Sequence, residues 1–142
     1  MKSKVTTIRQ KVVVSASPEE IYEAFVDPEK HAAFTGSKAT GDPRVGGKFT
    51  AWDGYIYGEN LELLRGKRIA QNWKSTDFSP SDSFSKLELS LKKVKEGTEI
   101  SMVHSGVPVG LVGNVAQGWK DFYWKPLKAY FKKASIQRRQ EW

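Results

Sequence analysis

His31 and His104 are the two side chains of this sequence whose ordinary pKa lies near neutrality, so they are where acid–base chemistry would start. His104 is followed by Ser105, but neighbours on a strand point to opposite faces, so the two do not form a nucleophile and its base. No Gly-x-Ser-x-Gly element accompanies the serine, and no carboxylate is spaced to orient His104 as a general acid or base. Two distant histidines in a chain without cysteine fall short of a standard zinc set. Gly106, Gly110 and Gly113 lie between a strand and a helix, as phosphate-binding glycines do. Their spacing is wrong, and no parallel strand can follow a terminal helix. The expectation is therefore a protein that is not an enzyme, with no catalytic residue, no metal and no cofactor.

The 142 residues suffice for one domain with a substantial core, so a single domain over residues 1–142 is expected. The absence of cysteine removes disulfides and thiolates and is compatible with a cytoplasmic location. Residues Met1 to Gln10 have no apolar core of the kind a signal peptide requires. Ile100 to Trp119 lacks Asp, Glu, Lys and Arg, but His104, Pro108, Asn114, Gln117 and its glycines make it a poor membrane span. The net charge of +7 is concentrated at one end, where Trp119 to Trp142 carries seven Lys and Arg against Asp121 and Glu141. Residues 133–142 read as a basic tail or helix end. A solvated helix face explains this charge best. Nucleic-acid binding through Lys125, Lys128, Lys132, Lys133, Arg138 and Arg139 ranks last, since no base-stacking motif accompanies them.

The elements that would position these groups follow from periodicity and turn chemistry. Val5 to Ala16 alternates as a first strand. Ser17-Pro18-Glu19-Glu20 supplies an N-cap, a proline at the first helical position and a capping-box glutamate, and Asp27-Pro28 starts a second short helix through His31 and Phe34. Strands joined by tight turns follow. Asp53-Gly54 forms a type I′ hairpin turn, Gly66-Lys67 and Glu96-Gly97 make two more turns, and Asp77 to Asp82 forms a polar loop. Beyond Pro108, Trp119, Phe122, Tyr123, Leu127, Tyr130 and Phe131 recur at helical spacing, with Pro126 expected to bend the helix. The fold class is α+β: a curved antiparallel sheet of about six or seven strands, two short helices after the first, and a long C-terminal helix across the concave face.

Alternation sorts the side chains. Register through Asp53-Gly54 puts Thr50, Trp52, Tyr55 and Tyr57 on one face, without a covering element. That aromatic patch, with Lys125 and Lys128 of the last helix, is the expected contact for a protein partner or a second copy in a homodimer. The opposite face carries Phe49, Ala51, Ile56, Ile69, Gln71, Trp73, Leu87, Leu89, Leu91, Ile100, Met102 and His104. On this interior Gln71 and His104 must find partners, either as ordinary core members or by orienting a ligand. A small apolar ligand held between sheet and helix would touch Phe49, Gln71, Trp73, Met102, His104, Trp119, Tyr123 and Leu127.

Gly46-Gly47-Lys48-Phe49, Trp52-Asp53-Gly54, Gly58-Glu59-Asn60, Trp73-Lys74, Gly97-Thr98-Glu99, Gly106-Val107-Pro108 and above all Gly118 to Leu127 resemble a known domain. It is the C-terminal domain of the activators of the ninety-kilodalton heat-shock chaperone's ATPase, and the resemblance runs from about Gln10 to Phe131. It implies a helix-grip fold, shared with birch-pollen-allergen-like and lipid-transfer proteins that often hold an apolar ligand between sheet and helix. It also implies a chaperone partner and a role in the stress response. In the activators this domain is an accessory contact and the stimulatory motif lies in a separate N-terminal domain. With the resemblance starting so near residue 1, that half is expected to be missing. Val109 to Gln117 departs from the family's charged approach to the last helix: it is apolar and glycine-rich, and is read as a lid or packing surface beside the cavity.

Overall fold

The structure, a computed structural model, describes residues 4–140, with side chains described through residue 133. Strand β1 (Val5–Val14) is followed by helices α1 (Pro18–Val26) and α2 (Pro28–Thr35). Then come β2 (Thr40–Gly41), β3 (Lys48–Ala51), β4 (Ile56–Leu64), β5 (Arg68–Ser75), β6 (Ser85–Val94) and β7 (Gly97–Pro108). The seven strands form one curved sheet, every neighbouring pair antiparallel, in the order β1-β7-β6-β5-β4-β3-β2. The meander β3 to β7 is the expected arrangement, and the pairing of β7 with β1 closes the chain's first strand onto its last. The two-residue β2 carried no sequence signal of its own.

Both short helices start by the chemistry that their first residues supply. The Ser17 hydroxyl accepts from the Glu20 N–H at 3.2 Å while Glu20 Oε1 accepts from the Ser17 N–H at 3.1 Å, which closes the capping box. Asp27 caps α2 by accepting from the N–H groups of Glu29 and Lys30, and Gly36, at φ +76°, ends it. Gly97 is needed for space as well as for its φ of +138°: a Cβ there would lie 2.1 Å from the Val14 carbonyl oxygen.

The C-terminal helical run begins with a 3₁₀ turn (Val109–Leu111) and continues through α3 (Val112–Trp119), a π turn (Lys120–Trp124) and α4 (Lys125–Gln140). Pro126 has no N–H to give and its ring crowds the preceding turn. The strain is taken up in the π turn, where the Lys125 N–H bonds five residues back to the Lys120 carbonyl. The expected basic tail or helix end at 133–142 falls largely outside the described side chains, though the helix backbone runs to Gln140.

Sheet, short helices and terminal helix share one core. Ile69, Leu89, Ile100 and Leu127 are wholly buried in it, beside Ile21 of α1. Of the expected interior set, Phe49 is half-buried and the other eleven are buried. Gln10 of β1 fastens the helix to the sheet. Its amide nitrogen donates to the Ala116 carbonyl at 2.9 Å, and its oxygen accepts from Trp124 Nε1 at 2.7 Å.

Candidate ligand-binding cleft

A cleft of about 440 Å³ opens between the β3–β4 hairpin and the terminal helix. On the sheet side it is lined by Trp52, Tyr55, Ile56, Trp73, Ser75 and Asp77. On the helix side Trp119, Phe122 and Tyr123 form the wall, and Leu111, Asn114, Val115 and Gly118 complete it. The volume is that of an ordinary small-molecule site. Among the described residues lining it none is Lys, Arg or His. The Asp77 carboxylate accepts a hydrogen bond from the Tyr55 hydroxyl, and burial raises the pKa of that phenol, with the carboxylate adding to the effect.

Trp52 is out of its expected place. The hairpin register is as anticipated, with Thr50 opposite Tyr57 and Ala51 opposite Ile56, and Asp53 and Gly54 at φ +55° and +89° match a type I′ turn. Trp52 itself, however, has φ +53°, and at that left-handed residue the alternation of a strand no longer holds. Its ring therefore packs inward on Phe122 and Tyr123, with centroids 5.4 and 6.3 Å away. The expected outer patch of Trp52, Tyr55 and Tyr57 is thus divided. Trp52 and Tyr55 line the cleft, whereas Tyr57 lies edge-on to Phe84 at 5.9 Å, beside Lys74, whose ammonium stands over the Phe84 ring.

His104 does not reach the cleft. Trp119 Nε1–H donates to its Nδ1 at 3.1 Å, which leaves the ring proton on Nε2. Nε2–H then donates to Ser85 Oγ at 2.8 Å, and that hydroxyl donates to the Trp73 carbonyl at 2.6 Å. Both ring nitrogens are spent inside the protein, and burial holds the pKa down to about 3. The ring instead stands edge-on behind Trp73, 4.7 Å between centroids, and so fixes one wall. His31 plays the same part on the other side. Its Nδ1–H donates to the Phe25 carbonyl at 3.3 Å, and Nε2 accepts from the Tyr123 hydroxyl at 3.1 Å. Burial lowers the His31 pKa to about 4 and raises that of Tyr123.

Of the residues read from sequence as ligand contacts, the structure brings Trp73, Trp119 and Tyr123 into the cleft. Met102, His104 and Leu127 lie in packed core, at most 1% exposed. Phe49 and Gln71 border a separate recess of about 20 Å³, and Gln71 donates to Asn60 Oδ1 at 2.8 Å. Lys125 and Lys128 are exposed and do not line the cleft; Lys125 pairs with Asp121 at 3.0 Å. Leu111 and Val115, from the apolar approach to the helix, do line it. Phe122, three residues beyond Trp119, was legible in the helical spacing, but Asp77 and Asn114 carried no signal. No group of three or more His, Asp or Glu among the described residues is placed to hold a metal ion, and no described helix is long and apolar enough to cross a membrane.

A curved antiparallel sheet gripping a C-terminal helix, with an aromatic cleft between them, defines a helix-grip domain. Within that class the chain belongs to the family of Activator of Hsp90 ATPase homolog 1-like proteins, whose model matches residues 15–132. It is 33% identical over 115 residues to the human activator of 90 kDa heat shock protein ATPase homolog 1, covering 81% of this chain and 34% of that protein. The chain thus spans about a third of the length of such relatives. Among solved structures it is similar to an HSP90 activator from Plasmodium falciparum, with 26% identity and a TM-score of 0.77 over 89% of this chain and 94% of the other. The fold is shared with the Aha1 dimer from Colwellia psychrerythraea, at 18% identity and a TM-score of 0.73 over 87% of this chain and 96% of the other.

Proposed function

We propose that this is a non-catalytic binding domain whose partner is a ninety-kilodalton heat-shock chaperone, met in the cytoplasm. The observation that carries the reading is the likeness to the Plasmodium falciparum activator, a chain matched over 94% of its own length by this one domain. His104 and Ser85 are 0% and 1% exposed and engaged with each other, so neither is presented to a bound molecule. The chaperone contact would use the exposed Lys125 and Lys128 on the terminal helix, with Tyr57 and Phe84 on the outer sheet face forming a separate, second patch. The test is titration of the purified chain into the chaperone, followed by calorimetry and by ATP turnover. Binding that weakens in a Lys125→Glu/Lys128→Glu variant supports the reading. No heat and no change in turnover at large molar excess would sink it.

A second reading, a carrier or sensor of a small apolar ligand, is favoured by the cleft of about 440 Å³ with its aromatic walls. The two readings are compatible, since neither Lys125 and Lys128 nor Tyr57 and Phe84 line the cleft.

A further inference from the structure

The cleft is built unlike the rest of the molecule. The chain carries a net charge of +7, yet the only charged group among the described residues lining the cleft is the Asp77 carboxylate. Lys74 stands over Phe84 and Lys125 pairs with Asp121, and neither lines the cleft. Around the opening stand aromatic rings in several orientations. Trp119 and Tyr123 lie 4.6 Å apart at 39°, while Trp52 crosses Phe122 at 70° and Tyr123 at 81°. Tyr55 and Phe122 remain 42% and 55% exposed, so rings at the mouth are open to an incoming group.

Each ring face presents the negative lobe of its quadrupole, and rings meeting at steep angles surround a guest with several such faces. An anion would meet those faces and Asp77 with no cation to compensate. A neutral apolar guest would gain burial alone. An organic cation gains burial, the ring faces and the carboxylate together. From this charge complementarity we infer that the cleft binds a small organic cation, an alkylated or aromatic ammonium, with its apolar body against the wall that Trp73 and Trp119 form together and its charged end toward Asp77. The inference rests on the small-ligand reading and adds the sign of the ligand's charge.

The test compares two probes of one shape, benzyltrimethylammonium and its neutral isostere neopentylbenzene, titrated into the full chain and followed by tryptophan fluorescence and calorimetry. Cation–π and ion-pair contributions of this kind amount to about a tenfold preference for the ammonium. Asp77→Asn, at an exposed loop position, should weaken ammonium binding several-fold and leave the isostere unchanged. Equal or tighter binding of neopentylbenzene would overturn the charge inference while leaving the small-ligand reading intact. Binding of neither probe up to millimolar concentration would defeat both. Ammonium binding that exceeds the isostere's yet is indifferent to Asp77→Asn would count against the cleft as the site.

Discussion

Lowering the pH from 7 to 5 should destabilise this protein through its two histidines alone. Both have folded pKa values, about 4 for His31 and about 3 for His104, below the ordinary 6.5. A group depressed in this way contributes its full stability above pH 6.5. That contribution is lost as the pH falls, because the unfolded chain takes up the proton first. At pH 5 each unfolded histidine is almost fully protonated and each folded one still largely neutral, so each costs about 2 kcal/mol and the pair about 4. Against an ordinary domain stability of about 5–15 kcal/mol this is a large share. Glu23, Glu88 and Asp121, whose pKa values are lowered by Lys30, Arg68 and Lys125, act in the same direction but only below about pH 4.5. The interval from pH 6 to 5 is therefore dominated by the histidines. Urea unfolding across it, followed by tryptophan fluorescence, should give a slope of about 2.5 kcal/mol per pH unit, close to two protons. His104→Gln should halve that slope whatever it does to absolute stability. A wild-type slope under one proton, or an unchanged slope in the variant, would refute the burial argument for these rings.

Two further outcomes follow from single contacts. Gln10→Ala strands the Trp124 indole N–H and the Ala116 carbonyl, and should lower stability by about 1–3 kcal/mol in urea melts. Gln10→Glu, which can still accept from Trp124 but sets a carboxylate oxygen against the Ala116 carbonyl, should lose at least as much. Gly97→Ala forces a Cβ to within 2.1 Å of the Val14 carbonyl oxygen, so β1 must separate from β7 there. Thermal melting should fall by more than the several degrees that a loss of about 1 kcal/mol gives, and hydrogen exchange at Val13 and Val14 should speed up.

The parts of the fold that were legible in the sequence are those whose cause is local. Ser17 and Glu20 read as a helix start because both halves of the capping box lie within four residues. The interior from Ala51 to His104 read correctly because alternation and turn length fix register without help from elsewhere. Trp52 misread for the same reason reversed: one left-handed φ at a bulky residue moves a side chain across the sheet, and nothing in its neighbours announces it. Other features depend on distant partners. Gln10 meets residues 106 and 114 positions away, and His104 is satisfied by Ser85 and Trp119 from two other elements. A polar residue on an apolar face shows that a partner must exist, but not whether it is a ligand or the protein itself.

The π turn at Lys120–Trp124 bears on how the terminal helix keeps its phase. Trp119, Tyr123, Leu127 and Phe131 are all buried, and they recur at an unbroken interval of four. In an α-helix such a row winds around the axis by about 40° per step, about 120° over the set, and its ends would look in different directions. One extra residue lodged in a wide turn cancels about 100° of that drift. The helix thereby presents one straight seam to the sheet, from the cleft at Trp119 to the core at Phe131. The inserted residue acts as a phase corrector, and a strict four-residue apolar rhythm running across a proline is its written trace. Removing any one residue between positions 120 and 124 would leave the two halves of the helix out of step, so that either the cleft wall or the core seam could be seated, but not both.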